Sequence, residues 1–277
     1  MSESIFEERI SGRDNPTVKR LALLCADRAE RYSRREFVAE GVKLCGEAAA
    51  AGITEMLLAT ESAARKYPEE LRKIAAGCAR RILISESVGE KISGVKSTQG
   101  VFCLCKMLDN RDFADKIDSG GVSAALSPEG RYMLLCSLQD PGNIGTIIRC
   151  CDAFGVTAVV LTRDCPDIYS PKLLRSTMGS LFHIPVLIAG EPAEAVDSFR
   201  RAGIKLYAAA LTDDSVPLGE ARFRDGCAVV IGNEGRGLER EIIGRCDCTV
   251  KIEMRGRAES LNAASAASVL AYRLTQD

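Results

Sequence analysis

The chain of 277 residues carries 37 Lys and Arg against 38 Asp and Glu, and 46% of its residues are hydrophobic. That composition supplies enough apolar material for two modest cores and excludes a disordered or strongly basic polypeptide. The opening residues MSESIFEERISGRD place acids early and lack an apolar segment, and no run of about 18 apolar residues occurs, so a cytoplasmic protein with no membrane span is expected.

In chain order, basic residues are dense from Arg13 to Arg35 and recur as Arg65 with Lys66, Arg72 with Lys73, and Arg80 with Arg81. Steps of seven or eight residues return to nearly the same helix face, so the recurring pairs form either a nucleic-acid-facing stripe or a solvated face. Glu36 to Ala51 reads as one amphipathic helix stopped by Gly52, and ITEMLLAT follows as a short buried strand. Residues 63–76 read as a helix, RILIS from Arg81 as a strand, Ser85 to Ile92 as a helix, and GVFCLCKML from Gly100 as a strand. Together they predict a smaller α/β domain over residues 1–110 and a connector at 111–129, part of which can add a short helix. From residue 130 to 277 the apolar runs YMLLCSL, AVVLT, PVLIA, KLYAAAL, CAVVIG and TVKIE alternate with helical patterns. Continuous apolar runs of that kind predict a mainly parallel sheet covered on both faces, with a ligand site at the carboxyl ends of its strands.

Twelve cysteines suggest a disulfide framework or a metal site, but their placement argues for reduced, packed thiols. Cys103 and Cys105 alternate, Cys150 and Cys151 are adjacent, and Cys246 and Cys248 are one residue apart, so no C-x-x-C pair opens a zinc site. His183 is the only histidine and reads as structural. No phosphate-binding G-x-x-x-x-G-K-[ST] is present, and the glycine order at Gly232, Gly235 and Gly237 is not that of a dinucleotide fold. A metal centre, an ATPase and an ordinary dehydrogenase are therefore not expected.

The informative stretches are GNIGTIIRCCDAFG from Gly142, IGNEGRGL from Ile231 and ESLNAASAASVLAYRL from Glu259. In the first, Asn143 reads as a helix cap with Arg149 nearly two turns on. Ile147, Ile148, Cys150 and Cys151 beside Arg149 predict a half-buried position, where an unpaired arginine is costly. In the third, Ser260 and Asn262 open the last helix, with Asn262 just inside it.

The order and spacing of these stretches resemble the SpoU (TrmH-like) family of RNA ribose 2'-O-methyltransferases, within the SPOUT superfamily. GNEGRGL departs from many relatives at Asn233 and keeps the flanking Gly232 and Glu234. SGRDNPTVKRLALL with REFVAEGVKLCGEAAAAG resembles the L30e-like substrate-binding domain of the subgroup acting on ribosomal RNA. The resemblance implies a C-terminal α/β fold with a deep trefoil knot, S-adenosylmethionine as cofactor, 23S rRNA as substrate and a homodimer paired through the C-terminal domain. It implies catalytic roles for Asn143, Arg149, Glu234, Ser260 and Asn262, and cofactor contacts at Gly232, Ile252 and Leu261, with Leu211 and Thr212 as further pocket residues. Guanidinium stays protonated, so Arg149 is expected to stabilise the developing alkoxide or orient a phosphate rather than act as a base. Met178 and Gly179 resemble a segment near the substrate entrance, where Lys172 or Arg175 can meet RNA phosphates. A tRNA ribose methyltransferase, a base methyltransferase of the same superfamily and a non-catalytic RNA-binding protein are the alternatives.

Overall fold

The computed structural model describes residues 5–95, 97–108, 126–224 and 226–276. Most of the expected connector lies outside them. The described chain divides into two compact units: one holds the residues up to Leu108 together with Asp167–Phe182, the other residues 126–166 and the residues from His183 onward.

The first unit is built on a five-stranded sheet in the order β1-β4-β3-β5-β2. Its strands are β1 (Glu8–Ile10), β2 (Glu36–Glu40), β3 (Thr54–Thr60), β4 (Arg80–Ile84) and β5 (Val101–Lys106). The single helix expected over 36–51 is a strand followed by a helix. Phe37, Val38 and Ala39 are buried against Cys105, Leu104 and Cys103 of antiparallel β5, and the helix is confined to Val42–Ala50. Gly41 makes the break with a φ of +101°, a conformation that L side chains rarely adopt. The helix expected over 63–76 is likewise two, Glu61–Lys66 and Pro68–Ala75, because proline cannot continue the first and suits the opening turn of the second. Cys45, Cys78, Cys103 and Cys105 are buried in this unit, and burial holds the Cys105 thiol far above its usual range, so it packs as a small neutral group.

A buried ion pair fastens the Asp167–Phe182 segment into this unit. The Arg31 guanidinium donates from Nε and from a terminal nitrogen to Asp167 Oδ2, at 2.8 and 2.7 Å, and also to the Leu24 carbonyl at 2.6 Å. Asp167 in turn accepts from the Tyr32 hydroxyl at 3.2 Å and from the Tyr169 backbone N–H at 3.0 Å. Tyr169 packs on Phe37 with ring centroids 4.8 Å apart.

The second unit contains a seven-stranded, wholly parallel sheet in the order β10-β12-β9-β11-β6-β7-β8. Its strands are β6 (Arg131–Leu135), β7 (Ala158–Leu161), β8 (Val186–Ile188), β9 (Lys205–Ala209), β10 (Val216–Pro217), β11 (Cys227–Ile231) and β12 (Cys248–Lys251). All residues of β7 and β11 are buried, as expected for strands covered on both faces. One face packs Leu134, Val160, Phe199, Leu206 and Val230 around Tyr132, whose ring meets Phe199 edge-on at 5.5 Å. Because the strands run one way, the loops after β6, β7, β9, β11 and β12 gather at one edge. Among the described residues, no helix is long and apolar enough to cross a membrane.

Breaking the Arg31–Asp167 pair from one side should strand a buried charge and cost about 3–5 kcal/mol. Urea unfolding followed by far-ultraviolet circular dichroism should show that loss in Arg31→Met, and a smaller loss when Asp167→Leu is added. Additive losses would mean that the pair is not coupled.

Candidate functional site

The site begins where β6 ends. Ser137 adopts a positive φ of +57°, and Asp140 caps the helix Pro141–Phe154 by accepting from the Gly142 N–H at 2.9 Å. Pro141 takes the first helical position, where its missing N–H costs nothing. Asn143 is therefore inside the helix and not its cap, which leaves its side chain available for another partner.

That partner is Glu234. Its carboxylate accepts from the backbone N–H groups of Gln139 at 3.0 Å and Asp140 at 3.1 Å, and from the Asn143 side-chain amide at 3.1 Å. The Asn143 carbonyl oxygen accepts in turn from the Asn262 amide at 3.0 Å. Asn262 is the N-cap of the helix Ala263–Leu274, its Oδ1 accepting from Ala264 N at 2.9 Å and Ser265 N at 3.4 Å. It is a cap, contrary to its expected place just inside the helix, and a link as well. The stretches distinguished in the sequence thus meet through one chain of hydrogen bonds from Glu234 through Asn143 to Asn262. Burial opposes ionisation of Glu234, but the N–H groups of Gln139, Asn143 and Asp140 outweigh it and hold the carboxyl below its usual range.

The loop that carries Glu234 is closed on itself. Asn233 accepts the Gly237 N–H at its carbonyl, its side-chain oxygen accepts from Gly235 N and Arg236 N at 3.0 and 3.1 Å, and its amide donates to the Ser137 carbonyl at 2.9 Å. The residue that departs from the family pattern therefore shapes the turn and ties it to the end of β6. A Cβ at Gly232 would stand 2.4 Å from the Gly237 backbone, so glycine is required there by the loop's own crossing.

Beside this loop lies a cavity of about 380 Å³ lined by the ends of β9, β11 and β12 and by the segment before the last helix. Gly232, Ile252, Leu261 and Leu211 line it, as do Glu234 and Ser260. Ala209, Ala210, Ile231, Leu238 and Met254 also contribute, and sequence reasoning missed them. Except for Leu238, which closes the turn after β11, their signal was position alone, at or just beyond strand carboxyl ends. Thr212 is not among the lining residues; its hydroxyl engages Ser215 at 2.9 Å and Thr249 at 3.1 Å and braces the turn after β9. The volume, the apolar walls and the open backbone of the strand ends fit a nucleoside-bearing cofactor.

Arg149 lies elsewhere. The buried residues of its helix are Ile144, Gly145, Ile147, Ile148 and Cys151, and Arg149 falls off that stripe. It is exposed, not half-buried, it does not line the cavity, and no hydrogen-bond or ion-pair partner holds it among the described residues. His183 Nδ1 sits 3.1 Å from Asp152 Oδ2. Arg175 pairs with Glu40 at 3.1 Å, and Gly179 is required by the approach of the Glu47 side chain. Met178 is exposed and adopts a φ of +54°.

The basic pairs of the first unit do not share one helix face. Arg80 and Arg81 are on β4, where Glu8 and Glu7 neutralise them, and Arg72 pairs with Glu69. Arg65, Lys66 and Lys73 have no ion pair among the described residues, although Lys66 lies 5.1 Å from the Tyr67 ring centroid. Among the described residues, no group of three or more His, Cys, Asp or Glu is placed to hold a metal.

Residues 130–272 match the SpoU rRNA Methylase family, and residues 15–103 match the MRM3-like substrate binding domain. The chain is similar to the 23S rRNA (guanosine(2553)-2'-O)-methyltransferase RlmP of Bacillus subtilis, at 32% identity over 88% of this chain and 90% of that protein. It is 39% identical to the 23S rRNA (uridine(2479)-2'-O)-methyltransferase of Streptomyces viridochromogenes, over 48% of this chain and 47% of that one. Among solved structures, the AdoMet-bound rRNA methyltransferase from Sinorhizobium meliloti matches with a TM-score of 0.81 at 26% identity, covering 96% of this chain and 97% of that one.

Asn262→Ala removes a cap and a link together and should cost about 1–2 kcal/mol in unfolding free energy. Glu234→Gln should destabilise most at neutral pH. A carboxyl whose pKa is lowered on folding contributes above its ordinary value of 4.5, and that contribution disappears as pH falls through the lowered value. The stability difference between wild type and Glu234→Gln should therefore shrink on acidification. A gap that stays constant down to acid unfolding would remove the carboxylate from this account.

Proposed function

The chain belongs to the SpoU rRNA methylase family, and from that premise we propose that it methylates a ribose 2'-hydroxyl of 23S rRNA. Membership makes it an S-adenosylmethionine-dependent RNA 2'-O-methyltransferase. The observation that carries the substrate reading is the hydrogen-bonded meeting of Glu234, Asn143 and Asn262 beside the cavity, in a chain similar over most of its length to a 23S rRNA enzyme. We extend the proposal to a trefoil-knotted backbone in the second unit and to a cytoplasmic location.

S-adenosylmethionine supplies, when bound, a methyl group on an electrophilic sulfonium. Gly232, Ile252 and Leu261 would hold it through backbone groups, with Leu211 covering it and Thr212 supporting the turn beneath. Ser260 lies on the rim of the same cavity and would orient the ribose. Asn143, Glu234 and Asn262 would act by fixing the loops, since their polar atoms are already committed to one another. The 2'-hydroxyl would give up its proton to solvent water as its oxygen bonds the methyl carbon and the carbon–sulfur bond breaks to leave a neutral thioether, and Arg149 would stabilise the negative charge developing on that oxygen or orient a neighbouring phosphate.

An exposed Arg149 that does not line its own cavity is compatible with that role in a homodimer. Val269 and Tyr272 on the last helix are 41% and 51% exposed, and Phe154 on the Arg149 helix is 37% exposed and packs on Tyr272 at 5.5 Å. The small, exposed side chain of Ser265, one turn before Val269, permits a close helix approach. This apolar, small-residue face supports pairing of two copies, which would present Arg149 to the partner's site.

Mapping 23S rRNA from cells with and without the protein should locate one lost ribose methyl. A lost methyl on tRNA or on a base ring, or none at all, would defeat the substrate reading. Arg149→Ala should bind S-adenosylmethionine normally in calorimetric titration while turnover falls by about a hundredfold or more; Arg149→Lys should recover little, because the planar fork is lost. Full activity in Arg149→Ala would remove it from the chemistry. Sedimentation at micromolar concentration should show a dimer, and Tyr272→Asp should dissociate it.

A further inference from the structure

We infer that a second cavity of the C-terminal unit, sharing the 233–238 turn as a wall with the first, is a binding site for a guanine base of the substrate RNA. The inference rests on the proposed function and deepens it by naming the base that the enzyme reads.

The cavity measures about 400 Å³ and is bordered by Ser137, Gln139, Asp164, Asn233, Arg236 and Glu239. Asn233, Arg236, Gly237 and Leu238 line both cavities, so an occupant of the second is separated from the methyl donor by the thickness of one turn. Its walls are held before any ligand arrives. The Asn233 amide donates to the Ser137 carbonyl, and the Gln139 amide donates to the Ser137 carbonyl at 3.1 Å and to the Asp164 carbonyl at 3.2 Å, locking the loops after β6, β7 and β11 together. The same Gln139 gives its backbone N–H to Glu234, so this wall and the hydrogen-bonded chain of the site are one structure.

Two of the three charged groups at the cavity are uncommitted. Arg236 and Glu239 side chains have no hydrogen-bond or ion-pair partner among the described residues, and Glu239 precedes the helix Arg240–Arg245 without a side-chain capping bond. Asp164 accepts from the Thr162 hydroxyl at 2.5 Å and keeps lone pairs to spare. Two carboxylates against one guanidinium repel a phosphate. They suit a neutral ring that offers a pair of donors on one edge and a pair of acceptors on another. Guanine has both, N1–H with N2–H for a carboxylate and O6 with N7 for a bidentate arginine. Uracil lacks the amino donor, and adenine lacks the oxygen acceptor. Sequence-specific recognition of RNA commonly takes bases splayed out of single-stranded loops, and such a base could enter this pocket.

The test uses the full chain carrying S-adenosylhomocysteine, titrated with free guanosine and free uridine and followed by nuclear magnetic resonance, which requires no turnover. Guanosine should perturb signals from the loops after β6 and β7 at concentrations about tenfold below uridine. Asp164→Asn and Glu239→Gln should each abolish that preference and raise the KM for a 23S rRNA fragment about tenfold, with kcat and cofactor affinity kept. Equal responses to the two nucleosides, an unchanged KM in both variants, or a loss of cofactor affinity in both would overturn the assignment. If wild type shows the guanosine preference but methylates no rRNA, the substrate reading fails and the base site stands; if it methylates rRNA and shows no preference, the reverse holds.

Discussion

Everything at the carboxyl edge of the parallel sheet depends on one carboxylate finding its donors. Glu234 stands on a turn after β11, and the groups that satisfy it come from the entry to another helix: two backbone N–H groups at Gln139 and Asp140 and the amide of Asn143. A carboxylate so held binds two loops of separate origin more firmly than neutral groups could, because charge-assisted hydrogen bonds are roughly twice as strong. Asn143 then passes the constraint to Asn262, which fixes the start of the last helix. Two of the segments that line the adjoining cavity, the turn at Glu234 and the approach to the last helix, are held in place by this chain.

The second unit was largely legible in the sequence. YMLLCSL, AVVLT, PVLIA, KLYAAAL, CAVVIG and TVKIE all contain strands, because a parallel sheet covered on both faces imposes unbroken apolar runs. The two-residue β10 and three-residue β1 were not legible, since so short a strand is defined by its neighbour rather than by its own pattern. Phe37 to Ala39 were misread because their apolar residues run on into a true helix without a composition change, and only Gly41 marks the turn. The helical pattern over 63–76 is interrupted at Pro68, a break that the proline itself marks in the sequence.

At the site, residue identities were legible and their geometry was not. Gly, Asn and Glu at strand ends drew attention to Gly232, Asn143, Glu234 and Asn262. Which of them touch one another depends on strand order, and β11 comes to lie beside β6 only through a long-range crossover. Arg149 is a different case. Its immediate neighbours in sequence are apolar, but helical phase sets it off the stripe of Ile144, Ile147, Ile148 and Cys151, and phase governs burial. Reading adjacency where period should have been read produced the expected half-burial. Asn233 shows the converse, a departure from a family pattern explained by the turn that its side chain closes.

The buried Arg31–Asp167 pair has a consequence for how such a gene can evolve. The acid lies beyond β7, far along the chain from its arginine, yet it completes the interior of the first unit along with Tyr169. A recombination event that exchanged only the leading segment of the gene would import an interior cation lacking its counter-charge and leave behind an orphaned acid and tyrosine. Inheritance of the first unit is thus discontinuous: a viable swap must transplant two separate stretches of coding sequence at once. That requirement favours point-by-point divergence of the pair over modular exchange.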